Sequence, residues 1–169
     1  MSDSVRSLTR SALSAAAGVV VLYLGSVLPT ARLAVLCLAT VGVVFIATSC
    51  KSGWAWGCYA VTSTAALLLL PEKMLAVVYA VFFGYYPILK LRLERFGNVA
   101  VRWLLKLAAF NAALSVLYAA YKMIFTELIS IAMPVWAFWL AANVAFAAYD
   151  YALGQLILYY LRKIAGRIK

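Results

Sequence analysis

Asp150 is the one acid that falls deep inside an apolar stretch of this sequence. A bare carboxylate in hydrocarbon is too costly to persist, so Asp150 must be protonated or paired with a Lys, Arg or Tyr. Lys106, about one turn into another apolar stretch, is a candidate partner. A structural lock is the leading reading of this intramembrane charge, and proton coupling the sharper one. Other polar residues recur at helical spacing. Asn111, Ser115, Tyr118 and Lys122 follow at intervals of four, three and four, which places them on one helix face. Trp136, Trp139, Asn143 and Asp150 share a second stripe. Tyr79, Phe82 or Phe83, and Tyr86 make a third. Aromatic walls stack on a planar ligand, and a few amides and charges orient it. Tyr79, Asn111, Tyr118, Lys122, Trp136, Trp139 and Asn143 are therefore the candidate substrate-binding residues, with Glu127 placed in a loop that closes over them. Two plainer readings stand beside this one. Trp and Tyr near helix ends populate the interfacial aromatic belt whatever the function, as Trp54, Trp56 and Trp103 are expected to do. Buried amides also join helices by hydrogen bonds.

Enzyme chemistry has little to stand on. The chain has no His, which removes the commonest general base and metal ligand. Cys37, Cys50 and Cys58 are unclustered in apolar sequence, a pattern that argues against a disulfide framework and a zinc site. There is no carboxylate pair, no Ser-His-Asp set and no phosphate-cradling Gly loop. The expectation is a protein that is not an enzyme, with no catalytic residue, metal or cofactor.

The elements that must position these residues follow from composition. Of 169 residues, 67% are hydrophobic and only 12% charged. A soluble domain is roughly half apolar and a quarter charged. A water-soluble fold of this size could not hide so much apolar surface, so the lipid bilayer must be its solvent. A membrane helix takes about 20 apolar residues. The sequence predicts an all-α, polytopic membrane protein: one domain, a compact bundle of six transmembrane helices at about 8–28, 31–49, 54–70, 74–91, 99–123 and 130–165. The first is read as a retained helix rather than a signal peptide, because no convincing cleavage site follows it.

The net charge of +10 would suggest nucleic acid in a soluble protein. Here it reads as topology, because basic residues collect in cytoplasmic loops. With six spans and an internal N-terminus, Arg6, Arg10, Lys51, Lys90, Arg92, Arg95, Arg102, Lys106, Arg162, Lys163, Arg167 and Lys169 lie inside, and only Arg32, Lys73 and Lys122 outside. Both termini are predicted to be cytoplasmic. The Lys90–Asn98 stretch alternates basic and apolar residues and suits either a segment at the inner interface or a solvated loop.

The first helix opens Ser11-Ala-Leu-Ser-Ala-Ala-Ala-Gly18. Ala12 and Ala16 form a small-xxx-small pair on one face; Ser11, Ala15 and Gly18 form another. Small residues let membrane helices approach closely, either inside the bundle or at a partner subunit. With this Ala-xxx-Ala pair, the size, the span number and the orientation, the chain resembles the substrate-binding S components of energy-coupling factor (ECF) vitamin transporters. That resemblance implies a bacterial cytoplasmic-membrane protein. Such a protein captures a vitamin or similar micronutrient in an outward pocket and docks, through Ala12, Ala15 and Ala16, on a transmembrane coupling subunit driven by two cytoplasmic ATPases. No ligand residue carries over by motif. The chain is also similar in size and span number to the rod-shape protein MreD, which implies a non-catalytic scaffold. A small ion- or proton-coupled carrier is the third reading.

Overall fold

The computed structural model describes residues 3–27, 32–50, 52–124 and 135–165. Helix α1 spans Asp3–Val27, α2 Arg32–Ser49 and α3 Ser52–Leu69. Next come α4, Lys73–Val78, a π-helical turn, Tyr79–Phe83, and α5, Tyr86–Leu93; α6 spans Val99–Ile124 and α7 Val135–Ala165. Among the described residues there is no strand. Among the described residues, four helical rods are long and apolar enough to cross a membrane: Ser4–Val27, Arg32–Ser49, Lys73–Leu93 and Val99–Ala120. The ends follow local rules. Pro29 lies just past α1. Pro71 follows α3, whose last turn is capped by Lys73 Nζ donating to the Leu67 and Leu68 carbonyls at 2.8 and 3.2 Å. The expected span 130–165 begins in residues outside the described set.

The expected fourth span is not one regular helix. Pro87 has no N–H to give and its ring crowds the carbonyl four residues back. The chain widens ahead of it, with the Gly84 N–H reaching the Tyr79 carbonyl at 2.7 Å, five residues away. The Tyr59 hydroxyl of α3 donates to the Ala80 carbonyl inside this turn at 2.8 Å. Gly84 permits that approach: a Cβ there would lie 2.6 Å from the Tyr59 ring.

Helices α1, α2 and α3 pack on one another, and α2 also meets α5, α7 and the π turn. The α1 seam is Ser11, Ala15, Gly18, Leu22 and Gly25, all buried at intervals of four and three. A Cβ on Gly25 would fall within 2.8 Å of Val35 Cβ, and one on Gly42 within 3.0 Å of the Ser14 carbonyl, so α1 and α2 approach almost backbone to backbone. The outward faces are apolar, as lipid-facing surfaces are: Leu13, Leu68, Leu104 and Leu140 are all more than half exposed.

Polar contacts fix which helix ends lie together. Ser11 Oγ donates to the Trp54 carbonyl at 3.1 Å, and Arg92 to Ser52 Oγ at 3.2 Å. The starts of α1 and α3 and the end of α5 therefore share one end of the bundle, with Arg92 over the Trp56 ring. At the opposite end Arg32 pairs with Glu72 at 2.8 Å.

Candidate functional site

Tyr86, Lys90 and Glu94 stand one helical turn apart along α5 and its C-terminal edge, and so share a face. That face meets Asp150 of α7 and Lys106 of α6. The Asp150 side chain is buried, and both of its oxygens are satisfied. Oδ1 accepts from the Tyr86 hydroxyl at 2.6 Å and from Lys90 Nζ at 2.5 Å. Oδ2 accepts from Lys106 Nζ at 2.9 Å. Lys90 also donates to the Asp150 carbonyl at 2.7 Å. Glu94 Oε1 lies 3.2 Å from Lys90 and 3.5 Å from Lys106. Two cations and two carboxylates thus neutralise one another across three helices. In a low-dielectric setting that balance is what makes their burial tolerable.

Tyr86 joins this cluster to an aromatic wall. Its ring centre lies 4.9 Å from Phe82, 5.4 Å from Phe146 and 5.7 Å from Tyr149. Phe110 of α6 stacks on Phe146 of α7, with centres 4.5 Å apart and planes within 11°. On the other side of the wall is a cavity of about 930 Å³. Its sides are Leu33, Cys37, Thr40 and Val41 of α2, Phe110, Leu114 and Leu117 of α6, and Phe138, Ala142, Ala145 and Tyr149 of α7. Val78, Phe82 and Phe83 close it from the α4 rod. The volume matches that of a small-molecule site. The lining is almost wholly apolar. Thr40 gives its hydroxyl to the Cys37 carbonyl at 2.6 Å, whereas the Tyr149 hydroxyl is buried with no hydrogen-bond partner.

The residues expected to form a polar pocket lie elsewhere. Asn111 Nδ2 donates to Asn143 Oδ1 at 3.1 Å and Asn143 Nδ2 to Asn111 Oδ1 at 3.4 Å. Each amide also donates to its own helix, at the Leu107 and Trp139 carbonyls, both 2.9 Å away. Lys122 is exposed, with Nζ 5.1 Å from the Tyr118 ring centre. Trp136 is 71% exposed and Trp139 half-buried. Tyr79 is fully buried, its ring beside Gly84 and its hydroxyl unpartnered. Glu127 lies outside the described residues. None of the described residues in this set lines the large cavity, whose own lining is almost wholly apolar. The physical reason is that an unpaired amide among apolar side chains is costly, and two facing amides satisfy each other first. On α1, Ala12 and Ala16 are exposed, but Ala15 is 2% exposed and packs near Val43, Ile46 and Ala55. Ala15 is therefore a packing residue and no part of an exposed docking face.

Sequence reasoning places Tyr86 only in an aromatic stripe and Lys90 only at the inner interface and does not pick out Glu94, although their spacing of four is a usable signal that they share a face. Phe110, Phe146 and Tyr149 were also missed, because aromatic residues in an apolar helix give no contrast. Among the described residues no group of three His, Cys, Asp or Glu side chains comes together. Comparison with family models, with curated proteins and with solved structures finds no match in any of the three.

Proposed function

We propose that this chain is a non-enzymatic, membrane-embedded substrate-binding subunit of an importer, with six spans and both termini cytoplasmic. The observation that carries this reading is the 930 Å³ cavity. On α2 and α6 its lining keeps to the half of the bundle that holds Leu33, and on α7 it runs from Phe138 to Leu156, past the level of Asp150, while Lys90, Arg92, Arg102 and Lys106 gather at the other end. If the basic end faces the cytoplasm, as such residues do, the cavity faces outward. The aromatic wall of Phe82, Phe110, Phe146 and Tyr149 lines it. The lining favours an uncharged, largely apolar micronutrient that stacks on Phe110 and Phe146, rather than the charged ligand that Lys122 and Glu127 would suit. The likeness to ECF S components supplies the rest of the reading. The exposed Ala12 and Ala16 would meet a transmembrane coupling subunit, and two cytoplasmic ATPases would power release.

Mass spectrometry of small molecules retained through purification tests this. A single non-lipid compound at near-stoichiometric occupancy supports the importer reading. Phospholipid alone would make the cavity a gap between helices and sink it. One observation favours the MreD-like scaffold as the second reading: the Asn111–Asn143 pair interlocks α6 and α7 instead of facing open space.

A further inference from the structure

We infer that a second cleft, at the basic end of the bundle, binds the headgroup of an anionic phospholipid. This cleft has a volume of about 260 Å³ and lies between α6 and α7, with the buried Lys90 and the exposed Glu94 also on its lining. Its lining includes Arg102, Trp103, Lys106, Asp150, Gln155 and Leu158.

The donor count leaves it able to take an anion. Lys90 Nζ has three N–H groups and three acceptors close by, namely Asp150 Oδ1, the Asp150 carbonyl and Glu94 Oε1, so it is saturated. Lys106 Nζ has one close acceptor, Asp150 Oδ2, and a long contact of 3.5 Å to Glu94. It keeps donor capacity. Arg102, half-buried on the cleft wall, makes no ion pair among the described residues, so its guanidinium fork is free. Gln155 adds an amide from α7. With Asp150 and Glu94 offset by Lys90 and Lys106, Arg102 leaves the cleft one positive charge in excess.

The surroundings select a lipid over a free ion. Trp103 is 42% exposed, Tyr151 71% and Leu158 47%, and all three line the cleft, so it opens between large apolar side chains of α6 and α7. Acyl chains can lie along these faces while a phosphate sits against Arg102 and Lys106, as basic pockets between membrane helices hold acidic headgroups. Free phosphate gains nothing from the apolar rim. This site is separate from the large cavity and does not depend on what that cavity holds.

The test is thermal unfolding of the full-length protein in a neutral detergent, titrated with phosphatidylglycerol, phosphatidylcholine or inorganic phosphate. Phosphatidylglycerol should raise the midpoint saturably; the other two should leave it nearly unchanged. Arg102→Gln should weaken the apparent affinity for phosphatidylglycerol about tenfold, the effect of losing one charge-assisted contact, with its lipid-free midpoint near that of the parent. An equal response to phosphatidylcholine overturns the proposal. So does an equal response to phosphate, or an undiminished response in Arg102→Gln. Should Arg102→Gln not fold, Gln155→Leu reads the same cleft from α7, and there an unchanged affinity for phosphatidylglycerol overturns it.

Discussion

At the scale of single residues, the Asp150 cluster is governed by charge balance rather than by any one contact. Lys90 and Lys106 are 2% and 7% exposed at their side chains, while Glu94 is 35% exposed. The loss of a carboxylate and the loss of an ammonium are therefore not equivalent. Asp150→Asn strands a buried positive charge between two lysines, and breaking a buried pair in this way costs about 3–5 kcal/mol. Lys106→Met strands a negative charge instead, but Glu94 can turn toward water, so its effect is smaller. The double variant Lys106→Met/Asp150→Asn is formally neutral, with Lys90 still 3.2 Å from Glu94. It should be more stable than Asp150→Asn alone. Thermal unfolding of the three variants in one detergent checks this. A double variant no more stable than Asp150→Asn would mean that geometry, not charge balance, holds the cluster. The same Asp150→Asn protein serves the carrier reading, which requires lost uptake with retained folding.

At the scale of elements, α1 presents two faces with different duties. The buried seam tolerates no added bulk. Gly25→Val should destabilise the bundle by about 1–3 kcal/mol, the usual effect of overpacking, because Val35 already occupies the space a side chain would need. An unchanged unfolding midpoint would show that α1 and α2 can separate at no cost. Ala12 and Ala16 lie exposed beside that seam. Ala12→Trp and Ala16→Trp should leave the midpoint unaltered yet abolish co-purification with a coupling subunit; undiminished association in both would remove α1 from the docking surface. These helices are legible in sequence because their lengths are set by apolar runs and their ends by Pro29 and Pro71. The π turn is not. Gly84 and Pro87 mark a disturbance, but its form depends on Tyr59 reaching Ala80 from another helix. The same limit applies to the charge cluster. Asp150 announces from sequence that it needs a partner, and Lys106 reads as one from its depth. Lys90, three residues after Pro87 and close to a basic stretch, reads as interfacial. Only its contact with the Asp150 carboxylate of α7 shows it turned inward, across 60 positions of chain.

At the scale of the whole molecule, apolar and charged features are segregated along the bundle. The large cavity and the charge cluster sit on opposite faces of a single aromatic layer, and Tyr86 belongs to both: its ring packs on Phe82 and Phe146, and its hydroxyl holds Asp150. Whatever occupies the cavity therefore presses on a wall whose far side is an ion-pair network. On the proposed importer reading, this gives occupancy a physical route to the basic end of the bundle. The decisive property is whether the cavity is a site or a gap. Ala142 lines it and is only partly buried, so an indole grafted there projects into existing space and displaces no packed neighbour. Ala142→Trp should thus leave the unfolding midpoint within a degree or two of the parent, since surface and void positions change stability little. The retained small molecule should fall to background by mass spectrometry, because the indole takes the space beside Phe138 and Phe146. Retention at parental occupancy would place the molecule elsewhere and leave the cavity without a role. A large drop in midpoint would show that the space is filled by protein in solution, and the binding-subunit reading would fall with it.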